Sequence, residues 1–86
     1  MSAKEKYEYC LGITERIATK IKVLDHAKAD KLLKFLKDYT RDAKHYAEKG
    51  DFDTALEAIA YAHGFIDAGV LTGVFRIDGY HLSEDI

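Results

Sequence analysis

Hydrophobic residues recur at helical spacing along three stretches of this chain, and no proline interrupts them. The first apolar stripe comprises Tyr7, Cys10, Thr14, Ile17, Ile21 and Leu24, and the second comprises Leu32, Leu33, Leu36, Tyr39, Ala43, Tyr46 and Ala47. The third comprises Phe52, Ala55, Leu56, Ile59, Ala62, Ile66 and Val70. This pattern predicts helices over residues 3–24, 28–49 and 52–73, followed by a tail over 74–86.

The connections between these stretches indicate how the helices are arranged. Gly50 can end the second helix in a left-handed conformation and Asp51 can cap the third, so a very short turn makes these two helices antiparallel neighbours. The first connection is less distinct, because residues 24–30 contain no glycine or proline and offer only Asp25 or Asp30 as caps. We predict one all-α domain over 1–86, an antiparallel up-and-down three-helix bundle with a short irregular C-terminal tail; one long kinked first helix is the alternative.

The second half of the third helix is apolar on nearly all sides, which a minimal three-helix bundle does not fully bury. The residues opposite its core stripe are Tyr61, Gly64, Phe65, Ala68, Leu71 and Phe75. We therefore expect them to form an interaction surface for a second copy or another protein. The alternative cover is the tail, folded back through Ile77, Tyr80, Leu82 and Ile86, in which Asp78-Gly79 is a turn signal.

Composition and charge place the chain among globular proteins. Of its 86 residues, 48% are hydrophobic and 33% charged, and the single cysteine, Cys10, cannot form an internal disulfide. The N-terminal ten residues are charged, unlike a signal peptide, and Glu57, His63 and Asp67 interrupt the longest apolar stretch. These features predict a cytoplasmic protein without a membrane span.

The charges are unevenly distributed along the chain. Residues 1–49 hold twelve Lys/Arg and eight Asp/Glu, whereas residues 50–86 hold one and seven, so the two parts carry +4 and −6. Opposite net charges favour packing the two parts together, an effect that salt would screen.

His63 and Asp67 are the most suggestive polar pair, because residues four apart are neighbours on a helix. They could orient a general base or hold a metal ion, with Tyr39 or Asp42 of the second helix approaching them. Two ligands are too few for zinc, and we favour a hydrogen-bonded pair at the edge of the core. We predict no catalytic residue, metal, cofactor or identifiable small-molecule ligand.

Nucleic-acid binding is possible but not indicated. A basic strip on the second helix contains Lys34, Lys37, Arg41 and Lys44. Asp38 and Asp42 interrupt this strip, and the isoelectric point is only about 6.0. Arg76 and His81 have the spacing of a ribonuclease motif in some helical nucleotide-binding domains, but the intervening Asp78-Gly79 favours a turn.

The stretch from Tyr39 to Ala68 resembles a known family. The resemblance rests on Asp42-Ala43, Tyr46, Gly50-Asp51, Ala55-Leu56, Tyr61-Ala62, Gly64 and Asp67-Ala68. In these residues the chain resembles the archaeal family called domain of unknown function 357. The whole chain is about as long as members of that family. The resemblance implies a small up-and-down three-helix bundle and an archaeal cytoplasmic source, and it brings no established activity.

The residues between the second and third helices also resemble the helical turn of tetratricopeptide repeats. Gly50-Asp51-Phe52, Ala55 and Ala62 carry this similarity. Only one partial unit is present, and a peptide-binding groove requires stacked repeats. We therefore predict a non-catalytic protein-interaction or dimerisation module, most simply a homodimer. The alternative is a small-ligand-binding or RNA-processing domain that uses His63, Asp67 and nearby tyrosines.

Overall fold

Three α-helices and two short β-strands make up the fold in the computed structural model, which describes residues 1–82. In chain order the elements are α1 (Ala3–Ala18), β1 (Lys22–Val23), α2 (His26–Glu48), α3 (Phe52–Leu71) and β2 (Phe75–Arg76). The helices pack together and a short segment follows α3, which confirms the predicted all-α three-helix bundle. Ile86, one of the predicted tail contacts, lies outside the described residues.

A side-chain cap starts each helix. In each case a side-chain oxygen accepts a hydrogen bond from the backbone N–H three residues later: Ser2 from Glu5, Asp25 from Lys28 and Asp51 from Thr54. These bonds satisfy donors that the first turn of a helix leaves free. The cap at Asp51 was predicted, and Asp25 is the one of the two possible caps that starts α2, at His26 rather than at residue 28. The helices α1 and α2 are therefore separate rather than one kinked helix.

The helices run up, down and up. Residues that come early in α1 meet residues that come early in α3, since Tyr7 packs on Phe52 and Thr14 hydrogen-bonds to His63. The order is reversed between α2 and α3, where Tyr39 meets Tyr61 and Phe35 meets Phe65. Both α1 and α2 pack on α3 and make little direct contact with each other, so α3 is the central element.

The core lies along the inner side of α3. Ala55, Ile59, Ala62 and Ile66 are completely buried there, together with Ala43 of α2. Each large apolar side chain buried in this way contributes about 1.5–3 kcal/mol to stability. The alanines allow the helices to approach closely, while the isoleucines fill the space between them.

The first helix ends at Ala18, whereas the apolar pattern predicted that it would continue to Leu24. The Thr19 hydroxyl donates a hydrogen bond to the Arg16 carbonyl oxygen at the helix end, and the chain then becomes extended. β1 pairs antiparallel with β2, with Lys22 opposite Arg76. Leu24 was predicted to lie in the core but is 57% exposed, because the chain is no longer helical at this point and the helical spacing does not apply. Ile21 and Val23 fit a strand as well as a helix.

The segment after α3 is docked on the bundle, as predicted, but part of it forms β2. Gly73 has a φ of 74°, a left-handed conformation that turns the chain away from the helix. Val74, Phe75 and Ile77 are then buried, and Gly79, with a φ of 71°, lies in the turn predicted at Asp78-Gly79. We call residues 74–82 the docked tail.

Candidate functional site

The C-terminal half of α3 has two sides with different surroundings. The docked tail covers one side, where Tyr80 reaches His63 and Asp67. The other side carries the residues predicted as an interaction surface, and the tail does not reach its most exposed members. The tail therefore covers one side of α3 while another apolar side stays uncovered, although we had treated these arrangements as alternatives.

The uncovered side is apolar and accessible. Tyr61 and Leu71 are 64% and 69% exposed, Gly64 is also exposed, and Phe65 and Ala68 are half-buried. A shallow groove of about 690 Å³ runs along this surface between Glu57 and Ala68. We call the surface formed by Tyr61, Gly64, Phe65, Ala68 and Leu71 the α3 face.

Aromatic rings from α2 extend the α3 face sideways. The Phe65 ring stacks between Phe35, at a centroid distance of 5.2 Å, and Tyr39, at 5.6 Å, and Tyr39 also contacts Tyr61 at 5.6 Å. Phe35 nevertheless remains 41% exposed. Phe35 was not predicted as part of this surface, although its place four residues before Tyr39 puts it beside that ring on the helix.

Two glycines of α3 have different surroundings. A β-carbon at Gly69 would overlap the buried Phe75 ring, so packing within the chain requires glycine there. A β-carbon at Gly64 would have no heavy atom within 4 Å. Glycine inside a helix costs about 0.5–1 kcal/mol relative to alanine, and at Gly64 no contact within the chain offsets this cost.

Phe75 does not belong to the α3 face, contrary to the prediction. Its side chain is only 2% exposed and packs with Ala29 and Val74. The prediction extended the helical periodicity beyond the end of α3. The turn at Gly73 and the extended conformation of β2 instead direct the ring back onto Gly69.

A chain of hydrogen bonds joins α1, α3 and the docked tail. Thr14 Oγ1 lies 3.2 Å from His63 Nδ1, Tyr80 Oη lies 3.2 Å from His63 Nε2, and the Tyr80 hydroxyl donates to Asp67 Oδ1. A tyrosine hydroxyl has a single hydrogen, so Tyr80 must accept from His63. We assign the neutral ring with its hydrogen on Nε2, and its Nδ1 accepts from Thr14.

Burial sets the titration of this polar cluster. His63 is 4% exposed, and loss of hydration lowers the pKa of its imidazole although the Asp67 carboxylate opposes the change. Burial, followed by the hydrogen bond to Asp67, raises the pKa of Tyr80. Both shifts favour the neutral groups that the hydrogen-bond chain requires.

The structure brings together only part of the predicted polar site. His63 Nε2 and Asp67 Oδ1 are 4.0 Å apart, too far for the direct hydrogen bond that we predicted, and the Tyr80 hydroxyl links the two side chains instead. Tyr39 instead packs in the aromatic cluster, and Asp42 is exposed and lies 3.8 Å from Arg41. Thr14 and Tyr80 were not predicted as partners of this pair. The position of Thr14 on the core stripe of α1 could have indicated one of them, because a buried hydroxyl needs a hydrogen bond.

A second groove, of about 770 Å³, separates α1 from α2. Leu33, Leu36 and Ala18 contribute apolar lining, and charged residues of both signs surround them. Lys44 spans the groove to Glu15 at 2.7 Å, and this contact raises the pKa of Lys44. The groove therefore has no uniformly positive or uniformly negative surface that would attract a charged ligand.

Ion pairs also neutralise most of the basic strip on α2. Lys34 lies 2.7 Å from Asp38, Arg41 lies 3.4 Å from the same carboxylate, and Lys44 pairs with Glu15. Among the described residues, Lys37 alone in the strip is outside an ion pair. The strip thus gives no support to nucleic-acid binding.

Residues 1–82 contain neither a candidate metal site nor a candidate membrane-spanning helix. No group of three or more His, Cys, Asp or Glu side chains in this part of the chain is arranged to hold a metal ion. No helix found there is both long enough and apolar enough to cross a membrane.

Comparison with known proteins identifies one family. A family model described as protein of unknown function (DUF357) matches residues 12–75, which are 64 of the 86 residues. Neither the curated proteins nor the solved structures gave a match. The matched range contains all of the α3 face and ends at β2.

Proposed function

Since this chain belongs to the DUF357 family, which has no assigned function, we propose from its own surface that it is a non-catalytic protein-interaction module that forms a homodimer through the α3 face. The polarity and position of the exposed residues support this proposal. A cytoplasmic location and an archaeal source remain predictions from composition and resemblance.

The observation that carries the proposal is the exposure of contiguous apolar side chains around a groove. Tyr61, Leu71 and Phe35 are all more than 40% exposed, and the half-buried Phe65 stacks on Phe35 and on Tyr39, which also contacts Tyr61. Soluble monomers rarely expose large contiguous apolar patches, whereas interaction sites do. Aromatic residues are also enriched where proteins meet.

Gly64 supports the same proposal from the backbone. It lies between Ala60 and Ala68, so three small residues follow one another at intervals of four along the exposed side of α3. Small side chains allow a second helix to approach closely, and this benefit would offset the helix-destabilising effect of glycine.

The polar cluster does not favour the alternative, a small-ligand-binding or RNA-processing domain. His63 and Asp67 are buried and bonded to Thr14 and Tyr80, and neither residue lines the two grooves described above. A catalytic histidine must reach a substrate, whereas this ring is enclosed by the protein. We interpret the cluster as structural.

Measurement of molecular mass in solution tests the proposal. We expect the wild-type chain to sediment as a dimer, and Gly64→Glu to weaken dimerisation. A buried, unpaired charge costs roughly 3 kcal/mol, which corresponds to about a hundredfold increase in the dissociation constant. A β-carbon at Gly64 has open space around it and the position is exposed, so the monomer should remain folded.

Gly12→Glu is the matched control. Gly12 is an exposed glycine within α1, and it too has open space around its missing β-carbon. This variant should keep the wild-type dissociation constant. A wild-type chain that remains monomeric at high concentration, or equal dimerisation of the Gly64→Glu and Gly12→Glu variants, would refute the proposal.

A further inference from the structure

The α3 face and its flanks have opposite charges at their two ends. At one end, the exposed Glu57 of α3 lies at the groove. At the other end, Lys28 and Lys31 of α2 are exposed at positions seven and four residues before Phe35, on the same side of the helix. The antiparallel arrangement of α2 and α3 places these lysines at the level of the C-terminal end of α3, because the neighbouring Ala29 packs in the same cluster as Val70.

The centre of this surface is suited to close contact. Glu57, Tyr61, Gly64, Ala68 and Leu71 follow one another at steps of four, three, four and three residues, so they form one line along α3. Gly64 is the midpoint of the line, with Glu57 seven residues before it and Leu71 seven residues after it. There is also open space around its missing β-carbon.

We propose that a second copy of the chain docks on this surface with α3 antiparallel to α3, and with the twofold axis beside Gly64. The inference rests on the proposed homodimer and specifies its geometry. Glu57 of each copy then lies at the end of the interface that carries Lys28 and Lys31 of the other. The acidic end thereby meets the basic end twice in each dimer.

Charge selects this geometry over a parallel one. A parallel dimer would place Glu57 beside Glu57 and would bring the lysines of both copies to the same end of the interface, and like charges at an interface oppose association. An antiparallel twofold dimer also uses the same patch on both copies, so it closes without leaving a surface for further growth. The occupant is therefore a second copy in the antiparallel orientation.

Charge reversal tests the pairing of the two ends. We expect Glu57→Lys alone and Lys31→Glu alone each to raise the dimer dissociation constant roughly tenfold at low salt, because two attractive contacts become repulsive. The double variant should regain most of the wild-type affinity. Lys37→Glu, on an exposed residue of α2 that lines the α1–α2 groove, is the control and should change little.

Cross-linking in a Cys10→Ser background provides a second measurement that reports orientation directly. With an added oxidant, Gly64→Cys should form a disulfide with itself across the axis, whereas Leu71→Cys should not. A mixture of Leu71→Cys and Glu57→Cys should give the mixed dimer. Self-cross-linking by Leu71→Cys would indicate a parallel dimer and overturn the inference.

These outcomes separate the two proposals. Gly64→Glu could weaken the dimer while the charge-reversed double variant fails to regain affinity. This result would support the proposed function and refute the antiparallel geometry. A monomeric wild-type chain would refute both. Rescue together with self-cross-linking at position 64 supports both.

Discussion

Tyr80 connects the docked tail to α3 through one hydroxyl group. Tyr80→Phe keeps the ring but removes the donor to Asp67 and the acceptor for His63. We expect the free energy of unfolding to fall by about 1–3 kcal/mol, because buried polar groups lose a hydrogen-bond partner. Urea denaturation would measure this change.

Tyr9→Phe is the control for that variant. Tyr9 is 59% exposed on α1, and removal of its hydroxyl should change stability by less than about 0.5 kcal/mol. Equal effects of the two variants would show that the Tyr80 hydroxyl contributes nothing specific to the tail.

His63 should make stability depend on pH in a mildly acidic range. Its folded-state pKa is lowered from 6.5, so as the pH falls below about 6.5 the unfolded chain binds a proton that the folded chain does not. The free energy of unfolding therefore falls with decreasing pH. The lowered carboxyl pKa values of Asp38, Asp51 and Asp78 act at lower pH, below their ordinary value of 3.8.

Denaturation at about pH 7 and about pH 5 would detect this effect. His63→Gln, which cannot be protonated in this range, should show a smaller loss of stability between the two conditions than the wild-type protein. His45→Gln, at an exposed position of α2, should retain the wild-type loss. An unchanged pH dependence in His63→Gln would contradict the assignment of a buried neutral ring.

The sequence predicted the His63–Asp67 pair because both residues lie on one helix, where spacing determines proximity. It could not predict Tyr80 as their partner. That contact depends on the path of the chain through Gly73 and β2, and local periodicity carries no information about this path.

At the scale of elements, α3 contains two glycines with opposite roles. Gly69→Ala should destabilise the protein by about 1–3 kcal/mol, because the new methyl group overlaps the buried Phe75 ring. Gly64→Ala should stabilise the monomer by about 0.5–1 kcal/mol, because alanine has the higher helix propensity and free space is available.

Thermal or urea unfolding of the two alanine variants would compare them within one helix. Unfolding should be measured at a protein concentration that is low enough to keep the chain monomeric. Stabilisation by both substitutions would show that the Phe75 ring moves freely, contrary to the packing described here.

Helix boundaries were predictable where capping residues or glycine mark them, as at Asp51 and Gly50. The end of α1 was not, because Ile21 and Leu24 continue the helical spacing while Thr19 and Val23 are equally compatible with extended chain. Pairing with β2 decides between these conformations. The Leu24 backbone N–H donates to the Val74 carbonyl at 2.8 Å, a contact between residues 50 positions apart.

At the scale of the whole molecule, the uneven charge was expected to hold the two parts of the chain together. The ion pairs of the described residues follow another pattern. Lys34, Arg41 and Lys44 pair within residues 1–49, and Lys22–Asp78 is the ion pair that joins the two parts. Much of the charge asymmetry therefore remains on the surface, where it is available to orient a second copy.

The central position of α3 also has a consequence for biosynthesis. On the ribosome α1 and α2 emerge before α3. They make little contact with each other, and both need α3 to bury their apolar sides. Translation adds roughly 5–20 residues per second, so the first two helices spend seconds without a packing partner. The core therefore assembles only after α3 has been synthesised, and until then the nascent helices depend on their charged sides for solubility.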